Sequence, residues 1–181
     1  GYVLAKSLGH SVTEVFPALL QVKTEPERVK ALKGIRCPAL VRLLADGKAL
    51  QEESGEVQFA DGCLSGICVF QLSRRVGKWM QDKKTTGRHP AGLLEISLDL
   101  LEGRRESEVL SILKRRAELP PPLPLTEFLT GIVNKRLGQE LIKRIGLQNA
   151  EAGLLRESQL WNLAALLKDF RFPVLGVMPW A

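Results

Sequence analysis

The stretch GEVQFADGCLSGICVFQLSRR, residues 55–75, decides how this chain is expected to fold. Its first part, Glu56–Phe59, alternates polar and apolar residues, which is the pattern of a half-buried strand. The small and turn-forming residues of Ala60–Gly66 break this alternation and predict a loop. Apolar residues then return at helical spacing, so we predict a helix over Gly66–Val76. The stretch therefore predicts a strand, a small-residue loop and a helix in immediate succession.

A helix that begins directly after such a loop presents unpaired backbone N–H groups there. These groups, together with the helix dipole, attract an anion, a carbonyl group or the edge of a cofactor. Asp61, Gly62, Ser65 and Gly66 are therefore candidates to face a bound ligand. On the local pattern alone we favour the structural alternative, in which Ser65 caps the helix and the glycines only make the turn.

Alternating patterns on both sides of this stretch predict further strands. We expect them at 12–16, 18–23, 35–44, 48–52, 93–101 and 172–178. Turn signals at Asp46-Gly47 and Ser54-Gly55 separate three of the strands and predict a meander ahead of the loop. The polar segment Gly77–Gly92 is predicted to be an exposed loop, either wholly irregular or with a short strand around Trp79.

Helical periodicity dominates the second half of the chain. We predict helices at 106–118, 126–133, 137–145 and 158–170, with shorter ones at 2–8 and 27–33. The helix at 126–133 is expected to be capped by Thr126. Leu119–Pro124 is too rich in proline to be helical. It is either a docking site for an SH3-type partner or a stiff spacer between helices, and we favour the spacer.

Runs of strands followed by runs of helices predict an α+β fold. We expect a small β-barrel subdomain formed by residues 1–103 with 171–181, and a compact α-helical subdomain formed by residues 104–170. The periodicity predicts the strands and helices themselves. The barrel, of Greek-key type, rests partly on the family resemblance described below.

The composition is that of a globular domain. The 181 residues are 45% hydrophobic and 25% charged, and no apolar run approaches the length of a membrane helix, which is roughly 20 residues. No signal-peptide pattern opens the chain. We therefore expect no membrane partner.

The sequence does not predict a metal site. The cysteines are Cys37, Cys63 and Cys68, and the histidines are His10 and His89. Because the cysteine count is odd, no CxxC pair occurs and a structural zinc site needs four ligands at paired spacing, we expect no bound metal. Free thiols make a reducing cytoplasmic compartment the simplest setting.

The net charge of +6 raises a second class of function, a basic β-barrel that binds nucleic acid. Basic residues cluster at 83–84, 104–105 and 114–116. Acidic residues stand beside each cluster, and no aromatic residues alternate with the basic ones as on a base-stacking surface. We therefore favour a solvated charged surface over a nucleic-acid interface.

Five segments, in order along the chain, resemble one protein family. Residues 59–66 (FADGCLSG) resemble a T-x-x-G-L-S-G loop, and residues 1–12 resemble G-D-G-Y-x-L-A-x-x-L-G-H-x-V. Residues 17–24 resemble P-A-L-x-x-L-K, residues 32–34 resemble L-K-G, and residues 172–174 resemble a returning strand. These motifs are similar to those of the aminoacetone-oxidase or BaiN-like family of bacterial FAD-dependent oxidoreductases. Cys63 and Ile67 depart from the family pattern, which usually has Gly and often Pro there.

The resemblance implies where this chain stands in a larger enzyme. The family's glycine-rich flavin fingerprint, GxGxxG, does not occur here. We therefore expect the chain to be the substrate-side insert, or lid, of a longer polypeptide whose flavin-binding domain carries FAD. Such an insert would orient a small-molecule substrate and exclude water, while the flavin does the hydride chemistry.

The resemblance also assigns roles to residues. Asp61, Gly62, Ser65 and Gly66 would face the flavin cleft. His10 would either face the substrate or, the alternative we favour, be a loop residue that bonds to the backbone. Ser65 and the N–H groups after it would bond to the flavin or to a bound carbonyl group. No catalytic set is complete in this chain, so we expect it to be inactive alone. Asp99 either resembles the acidic residue of the family's I-D-L-L-P strand or is a solvent-facing carboxylate.

Overall fold

The structure, a computed structural model, describes residues 1–13, 15, 18–86, 93–147 and 152–179. Within these ranges the strands are β1 (Val22–Lys23), β2 (Arg36–Ala45), β3 (Lys48–Ala60), β4 (Cys63–Ser65), β5 (Leu94–Asp99), β6 (Phe170–Pro173) and β7 (Gly176–Val177). The helices are α1 (Tyr2–Ser7), α2 (Pro26–Val29), α3 (Ile67–Thr86), α4 (Glu106–Ala117), α5 (Lys135–Arg144) and α6 (Glu157–Lys168). The fold is α+β, as the sequence predicted.

The described strands form one antiparallel sheet in the order β6-β5-β2-β3-β4-β1-β7. Its outermost strands, β6 and β7, are consecutive in the chain and are separated only by Val174 and Leu175. The N–H of Val174 donates to the carbonyl of Leu94 at 2.8 Å, and the N–H of Leu175 donates to the carbonyl of Lys23 at 2.9 Å. The sheet therefore curls until its two edges meet, which is the closure of a barrel.

The order of the strands is of Greek-key type. Strands β2, β3 and β4 follow one another as hairpins, and β1, which precedes them in the chain, pairs with the last of the three. This topology brings the short strand β1 beside the predicted ligand loop. The division of the chain into 1–103 with 171–181, and 104–170, stays a prediction.

The long hairpin of β2 and β3 corrects one prediction. Strand β3 runs unbroken from Lys48 to Ala60, so the predicted turn at Ser54-Gly55 is wrong. Pairing with β2 continues through both residues. Gly55 serves the packing instead, because a Cβ atom there would lie 3.3 Å from the Cβ of Cys68, where α3 crosses the strand.

Helix α3 is longer than predicted. It extends to Thr86, so the predicted loop is wrong over residues 77–86, and Trp79 is helical; residues 87–92 lie outside the described residues. Residues 78–86 contain no proline, and their Lys, Gln and Met residues favour a helix. Val69, Leu72 and Val76 are buried against the sheet, which adds tertiary support.

The barrel core is built on three aromatic rings. Phe59 and Phe172 lie 5.8 Å apart between ring centroids, and Phe170 meets Phe172 edge to face at 4.6 Å. All three side chains are fully buried. The exit segment is two short strands, β6 and β7, rather than the one strand predicted over 172–178, because each pairs with a different edge of the sheet.

Helix α6 covers the outer face of β5. The N–H of Leu100 donates to the carbonyl of Leu167 at 2.9 Å, which ties the end of β5 to the helix. Ser97 and Asp99 are buried, at 1% and 3% exposure, although their alternation with apolar residues predicted a solvent-facing side. The solvent-facing alternative for Asp99 is therefore wrong, because a helix lies where solvent was expected.

Two further predictions fail on local structure. Thr126 does not cap a helix, since Leu125–Glu127 is a single 3₁₀ turn; Asn134 caps α5 instead, accepting from the N–H of Arg136 at 3.0 Å. Of the predicted strand 18–23, only Val22 and Lys23 are extended in a sheet. In the predicted strand 12–16, residues 12, 13 and 15 are irregular, while residues 14 and 16 lie outside the described residues.

Candidate functional site

The predicted ligand loop is mostly a strand. Only Asp61 and Gly62 form a turn, and Cys63–Ser65 returns as β4 beside β3. Helix α3 then begins at Ile67. The predicted loop over Ala60–Gly66 is therefore wrong in extent, because its small residues pair with β3 on one side and β1 on the other.

The turn itself is exposed and anchored on both flanks. Lys33 Nζ donates to Asp61 Oδ2 at 2.7 Å, and this hydrogen bond and the lysine's charge hold the pKa of the Asp61 carboxyl below its usual range. Gly62 has a φ of +64°, and its carbonyl accepts from the N–H of Thr24 at 2.9 Å. The turn is thus held by the segment that follows β1 and by the residues before β2.

Ser65 faces β1 rather than the helix. Gln21 Nε2 donates to Ser65 Oγ at 3.3 Å, and Cys63 Sγ donates to Gln21 Oε1 at 3.4 Å and to the carbonyl of Asp61 at 3.0 Å. Ser65 is only 6% exposed. The sequence analysis missed Gln21, whose role follows from strand pairing, since Val22 lies opposite Leu64 and places Gln21 level with Ser65.

Gly66 occupies the position just before α3. Its φ is +115°, and its carbonyl accepts from the N–H of Phe70 at 2.9 Å, which is the first turn of the helix. A Cβ atom at Gly66 would lie 2.2 Å from the carbonyl oxygen of Glu56. Only glycine fits there, so the helix start rests directly on the backbone of β3. The structural alternative in which Ser65 caps the helix is wrong in this detail, because no backbone N–H of the described residues donates to Ser65 Oγ.

His10 shares no hydrogen bond or ion pair with the other four predicted residues among the described residues. It is exposed and follows α1, and its N–H donates to the carbonyl of Ala5 at 3.1 Å. The structure therefore brings Asp61, Gly62, Ser65 and Gly66 together, and no described hydrogen bond or ion pair joins His10 to them.

All three cysteines are free and buried. Burial, with minor contributions from the charges of Cys68 and Glu56, raises the pKa of the Cys37 thiol to about 12. Burial likewise raises the pKa of Cys63 and of Cys68. Because the thiolate is the reactive form, these thiols are poor nucleophiles in the folded chain.

We therefore predict that the folded chain resists thiol reagents. At pH 8 in native buffer, Ellman's reagent should label none of the three cysteines within minutes. In about 6 M guanidinium, which unfolds the whole chain, it should label all three within seconds. The labelling rate in native buffer should follow the rate of unfolding. Rapid labelling of one thiol in the folded chain would contradict the burial seen here.

The cleft between the barrel and the helices carries balanced charge. It has a volume of about 960 Å³ and is lined by residues that include Arg28, Arg144, Arg171, Glu140 and Asp169. Arg144 stacks over Phe170 at 4.4 Å from the ring centroid and pairs with Glu140 at 3.4 Å. Arg28 and Arg171 are likewise paired, with Glu25 and with Asp169. Because these cations have carboxylate partners, we do not assign the cleft as an anion-binding site.

Within the part of the chain that the structure describes, no three His, Cys, Asp or Glu side chains converge as a metal site. No described helix combines the length and the apolar character needed to cross a bilayer.

A family model described as "HI0933-like protein barrel and H2TH domain" matches residues 16–181. The chain belongs to the HI0933-like family. It is also similar to the 3-dehydro-bile acid delta(4,6)-reductase of Clostridium scindens, with 32% identity over 170 residues. The alignment covers 93% of this chain but 40% of the reductase, so the chain spans less than half the length of that relative.

Membership of the HI0933-like family confirms the resemblance to FAD-dependent oxidoreductases that the motifs indicated. It does not support the nucleic-acid alternative. Within the basic clusters, Lys114 pairs with Glu157 and Arg105 pairs with Glu108.

Proposed function

We propose that this chain is the substrate-side insert, or lid, of a bacterial FAD-dependent oxidoreductase, and that it is inactive alone. The family match over residues 16–181 carries the proposal, together with similarity to a reductase more than twice as long as the matched region. The remainder of the parent polypeptide would supply the flavin-binding domain. The free cysteines agree with a cytoplasmic setting.

In this proposal the turn between β3 and β4, together with the start of α3, forms the surface that faces the flavin. Asp61 and Gly62 are at least partly exposed, and so is Gly66. Ile67, the first residue of α3, is 76% exposed and lies beside the N–H groups of the first helical turn. The buried Ser65 acts by positioning this surface through Gln21. His10 faces the substrate.

The chemistry at such a surface would be orientation and exclusion of water. FAD, bound by the flavin domain, supplies the redox chemistry. The residues of this chain would hold the substrate against it, with α3 N–H groups aimed at a carbonyl oxygen or another electron-rich atom. Neighbouring apolar side chains such as Ile67 would keep water out.

The proposal is tested with the full-length protein beside the chain of residues 1–181. The full-length protein should be purified with bound flavin, visible as its absorbance, and should oxidise or reduce a small-molecule substrate. The chain of residues 1–181 should bind no flavin and show no turnover. Flavin-free full-length protein, or turnover by the isolated chain, would refute the proposal.

The role of Ser65 is tested by Ser65→Ala in the full-length protein. Loss of the hydrogen bond to Gln21, which is worth about 1 kcal/mol, should weaken flavin binding or lower kcat/KM about fivefold. Ser111→Ala is the matched control, because Ser111 is exposed on α4 and bonds only within that helix among the described residues. If both variants keep flavin affinity and turnover, Ser65 has no part in the site.

A further inference from the structure

Helix α1 stands apart from the rest of the described structure. It has no buried residue, and the exposed fractions of Tyr2, Val3, Leu4 and Leu8 are 59%, 83%, 65% and 70%. The backbone and side-chain hydrogen bonds of α1 and of the residues that follow it up to His10 all lie within that segment. Across the described ranges, no hydrogen bond or ion pair joins residues 1–10 to the barrel or to the other helices.

A helix of this kind needs a partner. Isolated helices shorter than about 12–15 residues are marginal in water, and α1 has six residues. Four large apolar side chains in a segment of eight residues form an apolar surface that is unusual on a soluble monomer. Other exposed apolar residues, such as Leu119 and Leu154, occur singly.

The family match leaves α1 outside the barrel and helical unit. It begins at residue 16, beyond the end of α1, and includes every other described helix and strand. The similar reductase has more than half of its length without a counterpart in this chain. A partner for α1 is therefore available in the flanking part of a longer polypeptide.

We propose that the exposed apolar side chains of α1 dock on the flavin-binding part of the parent polypeptide, so that α1 belongs to that unit and the insert begins after residue 15. This inference rests on the proposed function. It moves the predicted start of the barrel subdomain from Gly1 to the segment after α1. His10, tied to α1 through Ala5, then lies at the junction of the two units, where ligand sites are common.

Hydrogen exchange tests this docking directly. In the chain of residues 1–181, the amides of Ala5 and Leu8 should exchange at nearly unprotected rates, because α1 lacks tertiary cover. In the full-length protein they should be slowed by at least about 100-fold. Equal exchange in the two proteins would overturn the proposal.

Substitution gives a second, independent readout. Val3→Asp combined with Leu4→Asp should leave the Tm of residues 1–181 unchanged within about 2 °C, but lower that of the full-length protein by more than about 5 °C. Leu119→Asp, at a position 53% exposed, is the control and should change neither protein. A fall of similar size in both proteins would place α1 in the insert and overturn the docking.

A different partner for α1 would give a different experimental result. If a second copy of the chain covers α1, residues 1–181 should sediment as a dimer that Val3→Asp with Leu4→Asp dissociates, which would overturn the proposal. A monomer at micromolar concentration supports it. Failure of the proposed function is seen separately: a full-length protein without flavin would refute the enzyme assignment, whereas the exchange and Tm comparisons would still report whether α1 is covered.

Discussion

Gly66→Ala should destabilise the chain by roughly 3–5 kcal/mol, because it adds backbone strain to a direct steric clash. The φ of Gly66, +115°, lies in a region that residues with a Cβ atom rarely adopt. The new methyl group would also lie 2.2 Å from the carbonyl oxygen of Glu56, which is backbone and cannot rotate away. Denaturant unfolding of residues 1–181, followed by circular dichroism, measures the change.

Gly62→Ala is the matched control for this prediction. Gly62 also has a positive φ, +64°, but the nearest atom to its added Cβ would be in the Pro26 side chain, at an ordinary contact distance of 3.6 Å. Only the strain remains, so the loss should be about 1–2 kcal/mol. Equal losses for the two variants would show that α3 does not rest on β3 as described.

Asp99→Asn should cost roughly 3 kcal/mol of stability, since it leaves a largely buried lysine without its counter-charge. The carboxylate is 4% exposed, and Lys168 Nζ lies 2.5 Å from it while Arg42 Nη2 lies 3.6 Å away. It also accepts from the N–H of Leu101 at 3.0 Å. Since Lys168 belongs to α6 and Arg42 to β2, this carboxylate joins the helices to the barrel.

Glu52→Gln is the control for Asp99→Asn. Glu52 binds the same Arg42, at 3.0 Å, but its side chain is 49% exposed, so the loss should stay within about 1 kcal/mol. In the Asp99→Asn background, Lys168→Met should recover part of the lost stability, because it removes the unpaired charge. If Asp99→Asn costs no more than Glu52→Gln, the buried carboxylate does not stabilise the junction.

The structure around Asp61–Gly66 shows why part of the candidate site could not be predicted from the sequence. The turn at Asp61-Gly62 was predicted, because both residue types carry local turn signals. The strand character of Cys63–Ser65 was not, because it depends on pairing with β1, some 40 residues earlier in the chain. Gln21 carries no local signal, and its role appears only once strand pairing sets it beside Ser65.

The same reason explains the errors elsewhere. Ser54-Gly55 has the composition of a turn but continues as strand, since β2 pairs along its whole length. Residues 77–86 have the composition of a loop but continue α3. In both places a neighbouring element or an unbroken helical hydrogen-bond ladder outweighs a local preference worth only about 1 kcal/mol per residue.

By itself the sequence determined the α+β class, the family and most helix and strand positions, because periodicity and motifs are written in neighbouring residues. The tertiary structure decided which glycine has no substitute, which carboxylate is buried and which segment makes no hydrogen bond or ion pair with the rest of the described residues. Gly66, Asp99 and α1 show these outcomes in turn. The first two depend on atoms brought together from distant parts of the chain, and the third on the lack of such atoms around α1 among the described residues. No local sequence pattern determines these contacts.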